Sequence, residues 1–432
     1  MALEARSVPT AVRRRLADGP FYYGWVVVGA CFFLGVVTWG TIWSFGVLFG
    51  YIIDEFGLSH ANTAIIFSLQ SVITFGGAAV LGFVIDRYGT QHLLLLAAGL
   101  VVLGLLGMSQ LGSFTAVLLS YGLVVAAGFA IVNVIEKATP SRWFDRRRGV
   151  ATGIALSGAG VGIFVVPLVL EVLIRNLGWR GAYRSLLLAF LITYVLAALV
   201  ISDRPSDLDL EPSTEFPTGM PDPVSTDVDW RTQVGDVLSI ARKPAFGLVF
   251  VAALFLGGSI YIVIVSIVEF TTNVGLGRGI GVLAISITGG MNVVGKLIGG
   301  TVSDRVGRPV TFASSGLFMG GGVILLLSMP ESSGVLAAAV IFGFGWGIQI
   351  GLLAPLIADL FGTLSINALL GLALGSAAIS GSLGPYIAGL TFDHFGTYRP
   401  VFLGAAVIAV IGGACGLAAA RLESRHSVQS SA

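Results

Sequence analysis

Apolar runs broken by short polar turns fill almost the whole chain. Twelve of them are long enough to cross about 30 Å of hydrocarbon, at residues 22–50, 62–85, 91–111, 114–139, 148–173, 181–201, 245–271, 279–302, 309–329, 334–358, 366–391 and 398–420. The breaks carry Gly57-Leu58-Ser59-His60, Gly112-Ser113, Gly178-Trp179-Arg180 and Pro330 to Gly334, residues that punctuate helices. Residues 203–243 follow neither pattern. They are rich in proline, serine and acids, among them Asp207, Asp209, Glu211, Pro212 and Pro217, which predicts a flexible linker. The expected divisions are a tail at 1–21, a helical bundle at 22–202, the linker at 203–243, a second bundle at 244–420 and a tail at 421–432.

The runs also repeat. Gly82-Phe83-Val84-Ile85-Asp86-Arg87-Tyr88-Gly89 returns 218 residues later as Gly300-Thr301-Val302-Ser303-Asp304-Arg305-Val306-Gly307. At the same offset Gly40 falls on Gly258, Gly57-Leu58 on Gly275-Leu276, Gly153 on Gly371, Pro167 on Pro385 and Gly178 on Gly396. The prediction is an all-α membrane protein of twelve transmembrane helices in two parallel six-helix repeats. A duplicated membrane unit of this kind reads as a transporter. In each copy the turn closes a span. Gly82 and Gly300 are expected to allow close helix contact at the rim, with Asp86, Arg87, Asp304 and Arg305 forming ion pairs or meeting helix ends in a cytoplasmic gate.

Charge sets the direction. With the N-terminus inside, 17 lysines and arginines fall on cytoplasmic segments and five on outside segments. That bias places both termini in the cytoplasm. Residues 1–18 lack an apolar core with a cleavage site, so they read as a cytoplasmic tail. Only 11% of residues are charged and 55% are hydrophobic, against about 25% charged in soluble domains. The net charge of +1 implies no nucleic-acid partner. Cys31 and Cys415 lie within apolar runs and imply no disulfide framework. The sequence has no phosphate loop, metal-ligand cluster or nucleophile elbow, so neither an enzyme, a metal nor a cofactor is expected.

Charges inside the spans are therefore informative. Two of the three lysines, Lys137 and Lys296, fall within spans. Such a charge costs at least about 2.5–3.5 kcal/mol on insertion scales and commonly marks a pathway. Lys296 lies eight residues before Asp304, about 12 Å from the rim. Asn292 shares its helix face at i−4. The equivalents in the first copy are Ala78 and Thr74, so the fold itself does not require the pair. A desolvated cation suits a carboxylate ligand, with a structural or cavity-lining role as the alternative. Lys137 lies about 8 Å deep, where it can snorkel or pair with Glu136. Alternatively, Glu136 is a protonatable relay with Asn133 on the same face. Thr41, Trp43, Tyr121, Tyr261, Gln349, Ser376 and Ser380 complete the candidate cavity lining. Glu171 and Glu269, near the outer span ends, are expected to face water, and Tyr22 and Tyr23 to form an interfacial belt.

The twelve spans and paired turns resemble the major facilitator superfamily, although Gln91 stands where a basic residue is usual. A second signature narrows the branch. Trp143-Phe144-Asp145-Arg146-Arg147-Arg148-Gly149, followed by Gly153, Ala155, Gly158 and Gly160, resembles the span 5 opening of monocarboxylate transporters and their oxalate/formate-type relatives. Arg146, Arg147 and Arg148 would anchor at anionic headgroups, and the small residues would form a packing face. Asp18-Gly19-Pro20-Phe21-Tyr22-Tyr23-Gly24-Trp25 is similar to the opening of span 1 in that branch. The resemblance implies an Asp and an Arg four residues apart in span 8, where this chain has Asn292 and Lys296. It implies alternating-access transport of a small carboxylate such as lactate or pyruvate, with proton symport as the expected coupling. Carboxylate exchange, drug or sugar efflux, and a non-transporting receptor are the alternatives.

Overall fold

Backbone polar groups in hydrocarbon have no water to bond, so an apolar run of this length satisfies them by closing into a helix. The computed structural model describes residues 13, 22–77, 81, 84, 85, 87–144, 148–203, 205–208, 230–362 and 366–430, and these are helical almost throughout. The helices are α1 (Gly24–Trp43), α2 (Phe45–Phe56), α3 (His60–Gly76), α4 (Thr90–Gln110), α5 (Phe114–Trp143), α6 (Arg148–Val200), α7 (Trp230–Ala241), α8 (Pro244–Asn273), α9 (Arg278–Val306), α10 (Arg308–Ser328), α11 (Ser332–Phe361), α12 (Ile366–Phe395) and α13 (Arg399–Ser430). Ten helical stretches among the described residues have the length and apolar composition to cross a membrane, α1 and α2 counting as one. At 53 residues, α6 is too long for a single crossing. It breaks at Gly178, whose φ of 69° and ψ of 165° are not helical.

The repeat extends to backbone conformation. Gly57 and Gly275, Gly89 and Gly307, and Gly178 and Gly396 are pairs at the 218-residue offset, and all six have positive φ. A side chain there would be strained, so only glycine makes these turns freely. Gly82 and Asp86 lie outside the described residues, as do Arg146 and Arg147. Arg148 opens α6.

The described residues fall into two contact units. The first comprises Met1–Ile42, Gly76–Gly162 and Val172–Pro221. Within it α6 lies directly on α1. A Cβ on Gly158 would stand 2.1 Å from the Phe32 carbonyl oxygen, and one on Gly162 would stand 2.2 Å from that of Val36. This is the tight small-residue packing that replaces the hydrophobic drive in lipid. Tyr22 and Tyr23 are not simply an interfacial belt. The Tyr23 hydroxyl donates to the Val200 carbonyl at 2.5 Å, and that of Tyr22 to the Trp143 carbonyl at 2.7 Å. The carbonyls they reach lie at the last turns of α5 and α6, where the helical ladder leaves them open.

The second unit comprises Trp43–Phe75, Ile163–Glu171 and Asp222–Ala432. Here α9 meets α11 along a seam of glycines. A Cβ on Gly295 would stand 2.2 Å from the Phe344 carbonyl oxygen, and one on Gly347 would stand 2.3 Å from that of Asn292. Gly300 does not make the close contact expected of it, since a Cβ there meets nothing within 4 Å. Its neighbour Gly299 faces α11 instead, against Ile348 at 3.0 Å. One residue rotates a helical position by about 100°, which turns Gly300 away from the seam. In the same unit two repeat equivalents, Trp43 and Tyr261, stack on one another with centroids 5.0 Å apart and planes at 21°.

Candidate functional site

The Trp43–Tyr261 stack anchors an aromatic cluster in the second unit. Trp346 of α11 meets Trp43 edge-on at 5.0 Å, and Phe67 of α3 approaches Tyr261 at 5.9 Å. The rings can gather because small residues bring the helices together. A Cβ on Gly381 of α12 would stand 2.6 Å from Ser71 Oγ and 3.1 Å from the Tyr261 ring.

The same unit also holds buried polar groups without hydrogen-bond partners among the described residues. They include the Asn292 amide nitrogen, Gln349 Oε1, Ser71 Oγ, Ser259 Oγ and both polar atoms of Gln70. Asn292 is 2% exposed. An unmet buried polar group costs about 1–3 kcal/mol, so several in one unit point to a ligand or to water. One turn along the same face of α9, Lys296 is half-buried, with its stem beside Gly351. An amide donor and an ammonium at this spacing suit a planar anion.

Not every sequence candidate contributes an open group. Ser376 Oγ donates to the Ala373 carbonyl at 2.6 Å, and Ser380 Oγ donates to that of Ser376 at 3.0 Å. Both are buried on α12 with their hydrogens committed to their own helix. In the first unit, the Tyr121 hydroxyl donates to the Thr41 carbonyl at 3.3 Å, while Thr41 Oγ1 has no partner among the described residues.

Also in the first unit, Glu136 is 1% exposed and accepts a hydrogen bond from Trp39 Nε1 at 2.6 Å. Lys137 donates to Asn133 Oδ1 and lies 5.5 Å over the Trp39 ring. Trp39 therefore holds the two charges together, the carboxylate at its indole N–H and the ammonium over its face. Its place in this group has no signature in the sequence, because an apolar-flanked tryptophan on α1 looks like ordinary packing.

At the turns, Asp304 and Arg305 are exposed, as is Arg87. The ion pair formed near Asp304-Arg305 joins Arg308 to Asp359. A cavity of about 470 Å³ lies beside Arg87 in the first unit, lined also by Arg13, His92, Asp203 and Asp207. It holds both signs of charge at the rim, and Asp203 is already engaged there, accepting from the Thr90 N–H at 3.0 Å. Glu171 and Glu269 are both buried, at 7% exposure, and do not face water as expected. Neighbouring helices cover them, which helix-by-helix reading cannot see.

Residues 31–377 match the Major Facilitator Superfamily. The chain is 26% identical to monocarboxylate transporter 11 of Homo sapiens over 390 residues, covering 88% of this chain and 79% of that protein. It is 27% identical to monocarboxylate transporter 13 of Bos taurus over 404 residues, covering 93% and 90%. MFS-type transporter 1 of Ophiocordyceps sp. is 26% identical over 386 residues, covering 85% and 81%. Among solved structures, a bacterial homolog to the human lysosomal transporter Spinster, in an inward-facing and unoccupied conformation, has the same fold. Its TM-score is 0.77 at 15% identity, over 94% of this chain and 99% of that one. With the Major Facilitator Superfamily match spanning residues 31–377, over long apolar helices, this multi-pass membrane protein belongs to that superfamily.

Proposed function

We propose that this protein carries small monocarboxylates, such as lactate or pyruvate, across a cell membrane by proton symport. The carrying observation is the buried Asn292 amide, without a partner among the described residues and one helical turn from Lys296. A carboxylate gives Asn292 its missing acceptor and sets a negative charge one helical turn from the Lys296 ammonium. The Trp43, Tyr261 and Trp346 rings offer apolar surface to the rest of a small organic acid. The kinship with proteins named monocarboxylate transporters supports the same substrate class.

In this reading twelve spans form two six-helix bundles, 22–202 and 244–420, with both termini cytoplasmic. Splitting α6 at Gly178 and including α3 brings the helices to the twelve crossings of the sequence repeat. The bundles rock about the site in alternating access, and the Asp-Arg turns with Arg146, Arg147 and Arg148 form the cytoplasmic gate. Glu136 is the protonatable relay. Its hold on Trp39 depends on charge, so protonation loosens the group that also seats Lys137.

Purified protein in liposomes tests the assignment. The parent accumulates labelled lactate or pyruvate when an inward proton gradient is imposed, without internal substrate. Lys296→Ala abolishes that uptake. Normal uptake by Lys296→Ala sinks the site, and a strict need for preloaded carboxylate turns the reading to exchange.

A further inference from the structure

On the side of the second unit opposite the Asp304-Arg305 turn, two acid–base pairs join helices of different repeats, and the 218-residue offset relates their basic members but not their carboxylates. Arg278, the first residue of α9, reaches Asp54 of α2 at 2.8 Å. Its equivalent His60, the first residue of α3, reaches Asp393 of α12 at 3.2 Å. Asp393 also accepts from the backbone N–H groups of His60 and Ala61, each at 2.9 Å. It caps α3 with a carboxylate borrowed from another helix. Gly389 permits this approach, since a Cβ there would stand 2.6 Å from the Ala61 nitrogen.

Behind the Arg278–Asp54 pair lies Glu269 of α8. It is 7% exposed, and its Oε1 has no hydrogen-bond partner among the described residues. Gly50 of α2 leaves the space it occupies. A Cβ on Gly50 would stand 2.0 Å from Glu269 Oε1 and 2.8 Å from Arg278 Nη2. Arg278 lies over the Tyr51 ring at 4.1 Å and gives its hydrogen bond to Asp54, whose side chain is 68% exposed. One cation thus serves two carboxylates, and it bonds the exposed one. The buried carboxylate is left without a bonded counter-ion, which is strongly unfavourable while it is ionised. A proton removes the difficulty.

We propose that Glu269 is a proton-binding site that controls this gate, holding a proton while α2 and α3 lie against α8, α9 and α12. When the helices part, water reaches Oε1 and the proton leaves to it; closure takes a proton back from water. The charged and titratable groups around it are Arg278, Asp54 and Tyr51, then Tyr398, which stands within electrostatic range of both Glu269 and Asp393. His60 does not add to this response, because burial lowers its imidazole pKa below the ordinary value and holds it neutral despite Asp393. Acid closes the gate and base opens it. The use of this proton in transport rests on the symport reading above, whereas the gate's response to pH needs no substrate.

Spin labels on cysteines at Asn62 and His394, in a Cys31→Ala, Cys415→Ser background, report the gate by their separation in lipid nanodiscs. The parent shows a short distance at mildly acid pH and a growing long-distance population at alkaline pH, changing up to about tenfold per pH unit for one titrating group. Glu269→Gln stays closed at both pH values, and Glu269→Asp keeps the response. A parent that does not respond to pH, or a Glu269→Gln protein that opens like the parent, overturns the proposal. Should Glu269→Gln fail to fold, Gly50→Ala provides the second arm. Its methyl displaces the Glu269 carboxyl from the space it occupies and removes the pH response, and a Gly50→Ala gate that responds to pH like the parent also overturns it. A pH response intact in a protein that carries no carboxylate supports the gate and sinks the function proposed above.

Discussion

Two helices of this protein carry an asparagine four residues before a lysine, and their surroundings treat the two pairs differently. On α5, Lys137 donates to Asn133 and lies over Trp39, which also donates to the neighbouring Glu136. On α9, the Asn292 amide nitrogen meets no acceptor among the described residues, although it is just as buried. The i, i+4 spacing puts each pair on one helix face. The facing helix makes the difference. α1 presents a tryptophan to the first pair, whereas α11 presents Gly347 and Gly351 to the second. Glycine brings the backbones close but supplies no side-chain partner. The first asparagine is bonded to its own lysine, and the second keeps a buried amide donor without an acceptor among the described residues.

Four substitutions test this contrast, in descending order of effect. Asn292→Asp gives Lys296 an acid one turn away, as Glu136 stands beside Lys137. The new carboxylate competes with an anionic substrate, and the KM for carboxylate uptake rises about a hundredfold, the scale of one lost charge-assisted interaction. An unchanged KM would place substrate elsewhere. Gly347→Ala drives a methyl toward the Asn292 carbonyl and the Gly295 Cα. It lowers stability by about 1–3 kcal/mol, seen as a reduced unfolding temperature in detergent, and weakens uptake as α9 shifts.

Trp39→Phe removes the indole donor from Glu136 and costs about 1–2 kcal/mol of stability. It leaves the carboxylate KM within about twofold and shifts the pH dependence of uptake, because the Glu136 relay loses that bond, whereas a large KM increase would bring the group into the substrate site. Asp359→Asn removes the partly exposed partner of Arg308 near the second Asp-Arg turn. Such a pair contributes at most about 0.5–1 kcal/mol, so the unfolding temperature barely moves. Any effect on transport rate then reports the gate directly.

Much of the architecture is legible in the residue pattern. The 218-residue register locates turns whose glycines prove to share positive φ, at Gly57 and Gly275, Gly89 and Gly307, and Gly178 and Gly396. These turns are readable because glycine conformation is a local property. Contacts between helices are less legible. Gly300 reads as the packing residue, while Gly299 makes the contact, because a shift of one position turns a residue by more than a quarter of a turn. Among candidate site residues, Asn292 and Lys296 stand out because charge in a span is costly wherever it lies. Glu269 does not, since nothing in its own segment shows that Gly50 and Arg278 cover it.

The chain's own pattern is enough to specify apolar helices, a duplicated unit, its turns and a short register of unusual charges. Each arises from backbone bonding in lipid, glycine conformation or the cost of a buried ion, and all of these act within one segment. Whether a polar side chain is partnered depends on residues far away in the chain. Packing gave Glu136 and Lys137 a shared tryptophan, drew Trp43 onto its own repeat equivalent and left Asn292 without an acceptor among the described residues. Those outcomes belong to the folded molecule, because a hydrogen bond or a void is set by which neighbour a helix face meets.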